Sequence, residues 1–197
     1  IYSGKIAASA YRLLQQNKNQ FKRVLLLGPA HRVLLEGAAF PEMDAFETPL
    51  GEITLDKELI EKILAEFSWI SVSDKAHAEE HCLEVQLPFL QETLGEFKLL
   101  PLVVGDAKTE LLAALIQQFS KDHETLIVIS TDLSHFHDYE TAREIDGRTA
   151  NAIELLEQNR ISTEDACGAY PLRGALLAAS QNQWKVLLIA QHLKYSI

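Results

Sequence analysis

Three stretches of this sequence, Val24 to Leu27, Leu99 to Val104 and Leu126 to Ile129, are apolar almost throughout. They lack the in-out alternation of a strand with one wet face, so both faces must be covered, and in proteins that covering is done by helices. Between these runs the apolar positions recur at helical spacing: Ile6, Ala10, Leu13 and Leu14 within Gly4 to Gln16, then Lys57 to Phe67, then Leu111, Leu112, Leu115, Ile116 and Phe119. Tyr139 to Leu156 and Pro171 to Ser180 read as further helices. The alternation predicts an α/β protein, a three-layer sandwich with a central, mainly parallel sheet flanked by helices.

Smaller features fit around that frame. Phe46 to Leu55, with Pro49-Leu50-Gly51 in its middle, predicts a hairpin, and Trp69 to Val72 a short strand. Leu83, Leu87, Leu90 and Leu94 share a helical face within Glu79 to Leu94, a helix that Pro88 should kink. Lys185 to Ile189 predicts a last strand. No linker, repeat or low-complexity stretch divides the chain, so a single domain is expected over residues 1–197.

The formal net charge of -10, without a basic stripe, argues against nucleic acid as a partner. The longest apolar runs fall far short of the roughly 20 residues that cross a bilayer, so no membrane partner is expected. Two cysteines, Cys82 and Cys167, in a chain of this size imply no disulfide framework, and a reducing, cytoplasmic setting is expected. Ile1 to Gly4 show no basic or apolar leader pattern.

The chemistry should lie where apolar strands run into polar loops, because ligands collect at the carboxyl ends of strands in such sheets. Leu27 leads into Gly28-Pro29-Ala30-His31, and Ile129 into Ser130-Thr131-Asp132-Leu133-Ser134-His135. If the strands are parallel neighbours, His31, Asp132 and His135 converge; two imidazoles and a carboxylate are the ligand types of non-haem iron, zinc and copper. Any one histidine after a strand is more often a capping or loop residue. Cys167 precedes a helix whose start Pro171 marks, a position that favours thiolate, so it is a candidate soft ligand or nucleophile. His81, in Glu79-Glu80-His81-Cys82, could line the same pocket as an acid, base or substrate-binding group. Glu80 and Glu84 read as solvated surface and Cys82 as packing; His77, His123, His137 and His192 are assigned to the surface by default.

Taken together, Gly28-Pro29-Ala30-His31, Glu80-His81 with Leu83, Glu84 and Leu87-Pro88, Ser130 through His135, and Cys167-Gly168 through Pro171 resemble the Memo family in order and separation along nearly the whole chain. The likeness is greatest to its bacterial and archaeal branch, known as AmmeMemoRadiSam system protein B. The resemblance implies a fold like that of the class III extradiol dioxygenases. It assigns His31 and Cys167 as metal ligands, Asp132 as a group orienting a ligand or bound water, and His135 as an acid-base residue. The family's other ligand histidine, in a Pro-His-Ala-Gly segment, would precede Ile1, and its final strand differs from Gln191 to Ile197, so the chain is expected to be clipped at both ends.

A cysteine where the dioxygenases place a carboxylate makes the triad two imidazoles and a thiolate, which suits copper or zinc as well as iron. The expected function is an iron- or copper-dependent redox protein or dioxygenase-like oxidoreductase acting on a small organic substrate. The alternative is a non-enzymatic phosphopeptide- or protein-binding module using the same pocket, for which Arg32 and Arg173 are the nearby cations. A radical-SAM protein as partner follows from the branch name alone.

Overall fold

The structure, a computed structural model, describes residues 3–190. The apolar runs form β1 (Arg23–Pro29), β6 (Lys98–Val104) and β7 (Thr125–Ile129), with β2 (Ala38–Phe40) and β5 (Ile70–Val72) completing a five-stranded sheet of order β5-β2-β6-β1-β7. β6, β1 and β7 are parallel, in a register that sets Leu27 beside Leu102 and Ile129. β2 runs antiparallel to β6 and parallel to β5, so the sheet is mainly but not wholly parallel. β3 (Ala45–Thr48) and β4 (Gly51–Thr54) form the separate hairpin that Pro49-Leu50-Gly51 predicts.

Alternate residues of β1 build two cores. Leu25 and Leu27 pack with Ile60 and Ile63 of α2 (Lys57–Glu66) and with Leu112 and Leu115 of α5 (Thr109–Gln118). Val24 and Leu26 face the other way, against Tyr11 of α1 (Gly4–Leu14) and Leu87, Leu90 and Leu94 of α4 (Leu87–Leu94). All four β1 side chains are fully buried; burying each contributes about 1.5–3 kcal/mol. That is why this strand shows no alternation and why the layers number three. α3 (Asp74–His77), α6 (Tyr139–Glu154) and α7 (Ala169–Gln181) complete the helices, with α7 packed on α5. Among the described residues no helix is long and apolar enough to cross a membrane.

Two local expectations change, and one strand is added: β2, only a few residues long, carries no period of its own. Glu79 to Leu83 is not helical: a 3-10 turn at Glu84–Gln86 precedes α4, and Pro88 sits in the first turn of that helix, where a missing N–H costs nothing. The N–H groups of His81 and Cys82 turn instead to the Glu80 carboxylate. Lys185 to Ile189 forms no strand; the chain leaves α7 through Gln183, at φ 56°, and Val186 to Ile189 line the same cavity as β7 without ladder pairing.

Candidate metal centre

The carboxyl ends of β1 and β7 face one edge of the sheet, and the loops leaving them carry the expected residues. Ala30 N–H donates to Val104 O at 2.9 Å and Ser130 N–H to Leu27 O at 2.7 Å, so both loops depart from fixed positions. Gly28 admits the neighbouring loop: a Cβ there would stand 2.5 Å from Cys82 Sγ and 2.8 Å from Leu83 Cδ2.

Glu80 organises the first half of the site. Its side chain is 1% exposed, and it accepts from His31 N–H at 2.7 Å, His31 Nδ1 at 2.9 Å, His81 N–H at 2.9 Å and Cys82 N–H at 3.0 Å. Burial alone would raise its pKa, but the side-chain and backbone hydrogen bonds from His31 and the bond from Cys82 outweigh it and bring the carboxyl down to about 2. The His31 and His81 rings stack above it, centroids 5.2 Å apart and 21° from parallel. His31, Glu80 and His81 are also the one group of potential ligand atoms, among the described residues, that lie within 4.8 Å of one another. The expectation that Glu80 is solvated surface is therefore overturned. No periodicity marks it, because its partners are backbone groups of a distant loop.

Cys167 and the loop after β7 form the second half. Cys167 N–H donates to Asp132 O at 3.2 Å, Asp132 N–H donates to Cys167 Sγ at 3.2 Å, and Gly168 N–H donates to Thr131 Oγ1 at 2.8 Å. An N–H aimed at sulfur is the outer partner that a metal-bound thiolate accepts. His135 Nε2 stands 3.5 Å from Asp132 Oδ2, and Ser3 Oγ donates to Asp132 Oδ1 at 3.3 Å.

Ser130 joins the halves: its Oγ donates to Cys82 O at 2.7 Å and accepts from Gln86 Nε2 at 2.9 Å. Cys82 itself is a packing residue, its thiol donating to Pro29 O at 3.2 Å and its pKa pushed up chiefly by burial. The structure thus brings His31 and His81 together, sets Asp132, His135 and Cys167 in one hydrogen-bonded loop pair, and ties the two sets through residues 80–86. Cys167 is not within the compact His31–Glu80–His81 group.

His77 departs from its surface assignment. It is 6% exposed, its Nε2–H donates to Ala39 O at 2.9 Å, and burial lowers its pKa. Sequence reasoning missed it because its partner lies on β2, the strand that was not foreseen. His123 is exposed and His137 half-buried, while His192 lies outside the described residues.

The comparisons agree with the residues. The family model described as "Memo-like protein" matches residues 1–190. A "MEMO1 family protein" of Aquifex aeolicus (strain VF5) is 39% identical over 169 residues, covering 84% of this chain and 60% of the relative. One from Methanobrevibacter smithii is 36% identical, covering 83% of this chain and 59% of the relative. The chain thus spans about 60% of the length of these curated relatives. A crystal structure of an uncharacterized Escherichia coli K12 protein superposes with a TM-score of 0.60 at 12% identity, covering 87% of this chain and 81% of that one, a likeness of fold.

Proposed function

This chain belongs to the Memo family, and from that premise we propose that its pocket binds a redox-active first-row metal, iron or copper, and serves oxidoreductase chemistry on a small organic substrate. The observation that carries the reading is the stacked His31–His81 pair held over the buried Glu80 carboxylate, with Cys167 on the loop tied to the same frame. Imidazole and thiolate donors suit iron, copper and zinc, so the donor set fits the ions expected of it.

His31 and Cys167 would hold the ion, which would supply Lewis-acid or one-electron chemistry when bound. His135 is the acid-base group: half-exposed and close to Asp132, it reaches solvent and the pocket at once. Asp132 holds a ligand or water through its carboxylate while its N–H meets Cys167 Sγ. His81, at 55% side-chain exposure, is available to a substrate. Beside Asp132 and His135 opens a cavity of about 790 Å³ walled by Ile6, Ala10, Leu133 and Ile153, within the usual size range of small-molecule sites.

The phosphopeptide reading has less support. Arg173 lies over the Tyr170 ring, 5.2 Å from its centroid, with its Nε buried, and the ionised Glu80 beneath His31 opposes a second anion.

The test is elemental analysis of protein purified without chelators, with Cys167→Ala and His31→Ala in parallel. Stoichiometric iron or copper that either variant loses supports the reading. An apo protein with no affinity for any first-row metal removes it.

A further inference from the structure

Glu80 has both carboxylate oxygens engaged in hydrogen bonds. Oε2 takes His31 N–H, while Oε1 takes His31 Nδ1, His81 N–H and Cys82 N–H. A carboxylate offers about four lone-pair sites, two on each oxygen; Oε1 already meets three donors and Oε2 one, and the side chain is 1% exposed, so little of the group is open to an ion. Although its oxygens lie within 4.8 Å of both imidazoles, Glu80 is placed as their partner and not as a ligand.

That has a chemical consequence for His31. An ionised carboxylate only accepts, so the Nδ1 atom 2.9 Å from Oε1 must carry the proton. In a neutral imidazole the other nitrogen, Nε2, then holds a bare lone pair. The His31 side chain is 32% exposed, so part of the ring remains open to solvent beside the buried carboxylate. His81 Nδ1, 3.5 Å from the same Oε1, also faces the carboxylate, and the two rings lie 21° from parallel.

We propose that Glu80 is the positioning residue of this pocket: it locks His31 in the Nδ1–H tautomer and so presents Nε2 as the metal-binding atom. What Nε2 meets rests on the metal reading above; the tautomer does not. Glu80 achieves this because one buried carboxylate bonds both the backbone and the ring of His31, fixing loop and imidazole together across a sequence separation of 49 residues. Carboxylate–histidine pairs of this kind orient metal ligands and raise their basicity.

The experiment uses the metal-free full chain labelled with 15N-histidine, at a pH where imidazoles are neutral. Long-range 1H–15N correlation reads the tautomer of His31, assigned with His31→Ala, and a Co2+ titration follows. The expected result is the Nδ1–H form in the wild type and loss of that bias in Glu80→Gln, whose amide also donates. Co2+ affinity should fall about 10- to 100-fold in that variant, with partial recovery in Glu80→Asp. His31 in the Nε2–H form in the wild type overturns the proposal, as does Glu80→Gln with tautomer and affinity unchanged. Should Glu80→Gln not fold, the wild-type tautomer still decides. A wild type in the Nδ1–H form that takes no Co2+ supports the role of Glu80 and counts against the metal reading instead.

Discussion

His135 Nε2 and Asp132 Oδ2 stand 3.5 Å apart with both side chains well exposed, at 36% and 41%. A contact of that length in water contributes about 0–1 kcal/mol, so this pair by itself adds little to the stability of the fold. A double-mutant cycle of Asp132→Ala and His135→Ala in urea should give a coupling below about 1 kcal/mol. His135→Ala should keep its metal content, as an acid-base group does and a ligand does not. A coupling near 3 kcal/mol, or metal lost with His135, would reverse both assignments.

Gly168 is required by the approach of the loop after β7. A Cβ there would meet Thr131 Cβ at 2.7 Å and Ser130 O at 2.9 Å, and the latter is backbone. Gly168→Ala should therefore destabilise by about 1–3 kcal/mol and, by displacing the adjacent Cys167 from the Asp132 N–H, weaken metal binding as well. Thermal melts and metal titration read the two effects. A variant of wild-type stability and affinity would show that the loops separate without cost.

Acid should unfold the protein in two stages. His77 has a lowered native pKa, so its contribution is full above the unfolded value of about 6.5 and is lost as pH falls below it, because only the unfolded state gains the proton freely. Glu80, lowered from 4.5 to about 2, contributes stability that is present above 4.5 and is lost as pH falls toward 2. That second stage is on the order of 3 kcal/mol. Urea midpoints against pH should show His77→Gln without the first stage and Glu80→Gln with a reduced second one. Identical profiles would assign the acid lability elsewhere.

Phe136 follows His135 with φ 61° and its side chain in water, 99% exposed. A bulky residue in the left-handed region stores strain that no burial offsets. Phe136→Asn should raise stability by about 0.5–1 kcal/mol, or roughly 2–4 °C. If Phe136 also meets substrate in the adjoining cavity, the same variant loses substrate affinity while melting higher. A lower melting temperature would mean that the conformation is supported in a way its exposure does not reveal.

Much of this protein could be read before its structure. The apolar runs of β1, β6 and β7 and the helical periods between them predict the covered sheet, because burial on both faces leaves a compositional trace within a few residues. The loops after β1 and β7 could be named as the candidate site because ligands collect at the carboxyl ends of such strands, and short motifs in them identify the family. The short β2 and the surroundings of His77 left no such trace, and the apolar run Lys185 to Ile189, which reads as a strand, pairs with no other strand.

By itself, then, the sequence determined the layered α/β architecture, the family, and the candidates His31, Asp132, His135 and Cys167. The tertiary structure decided what surrounds them. Glu80 looks in sequence like one more charged residue in a polar stretch; in the fold it is buried under two stacked imidazoles and bonded to the backbone of a loop 49 residues away. Periodicity reports which face of an element is buried, a local property. The partner of a buried polar group is set by packing between segments remote in the chain, and no local pattern encodes it.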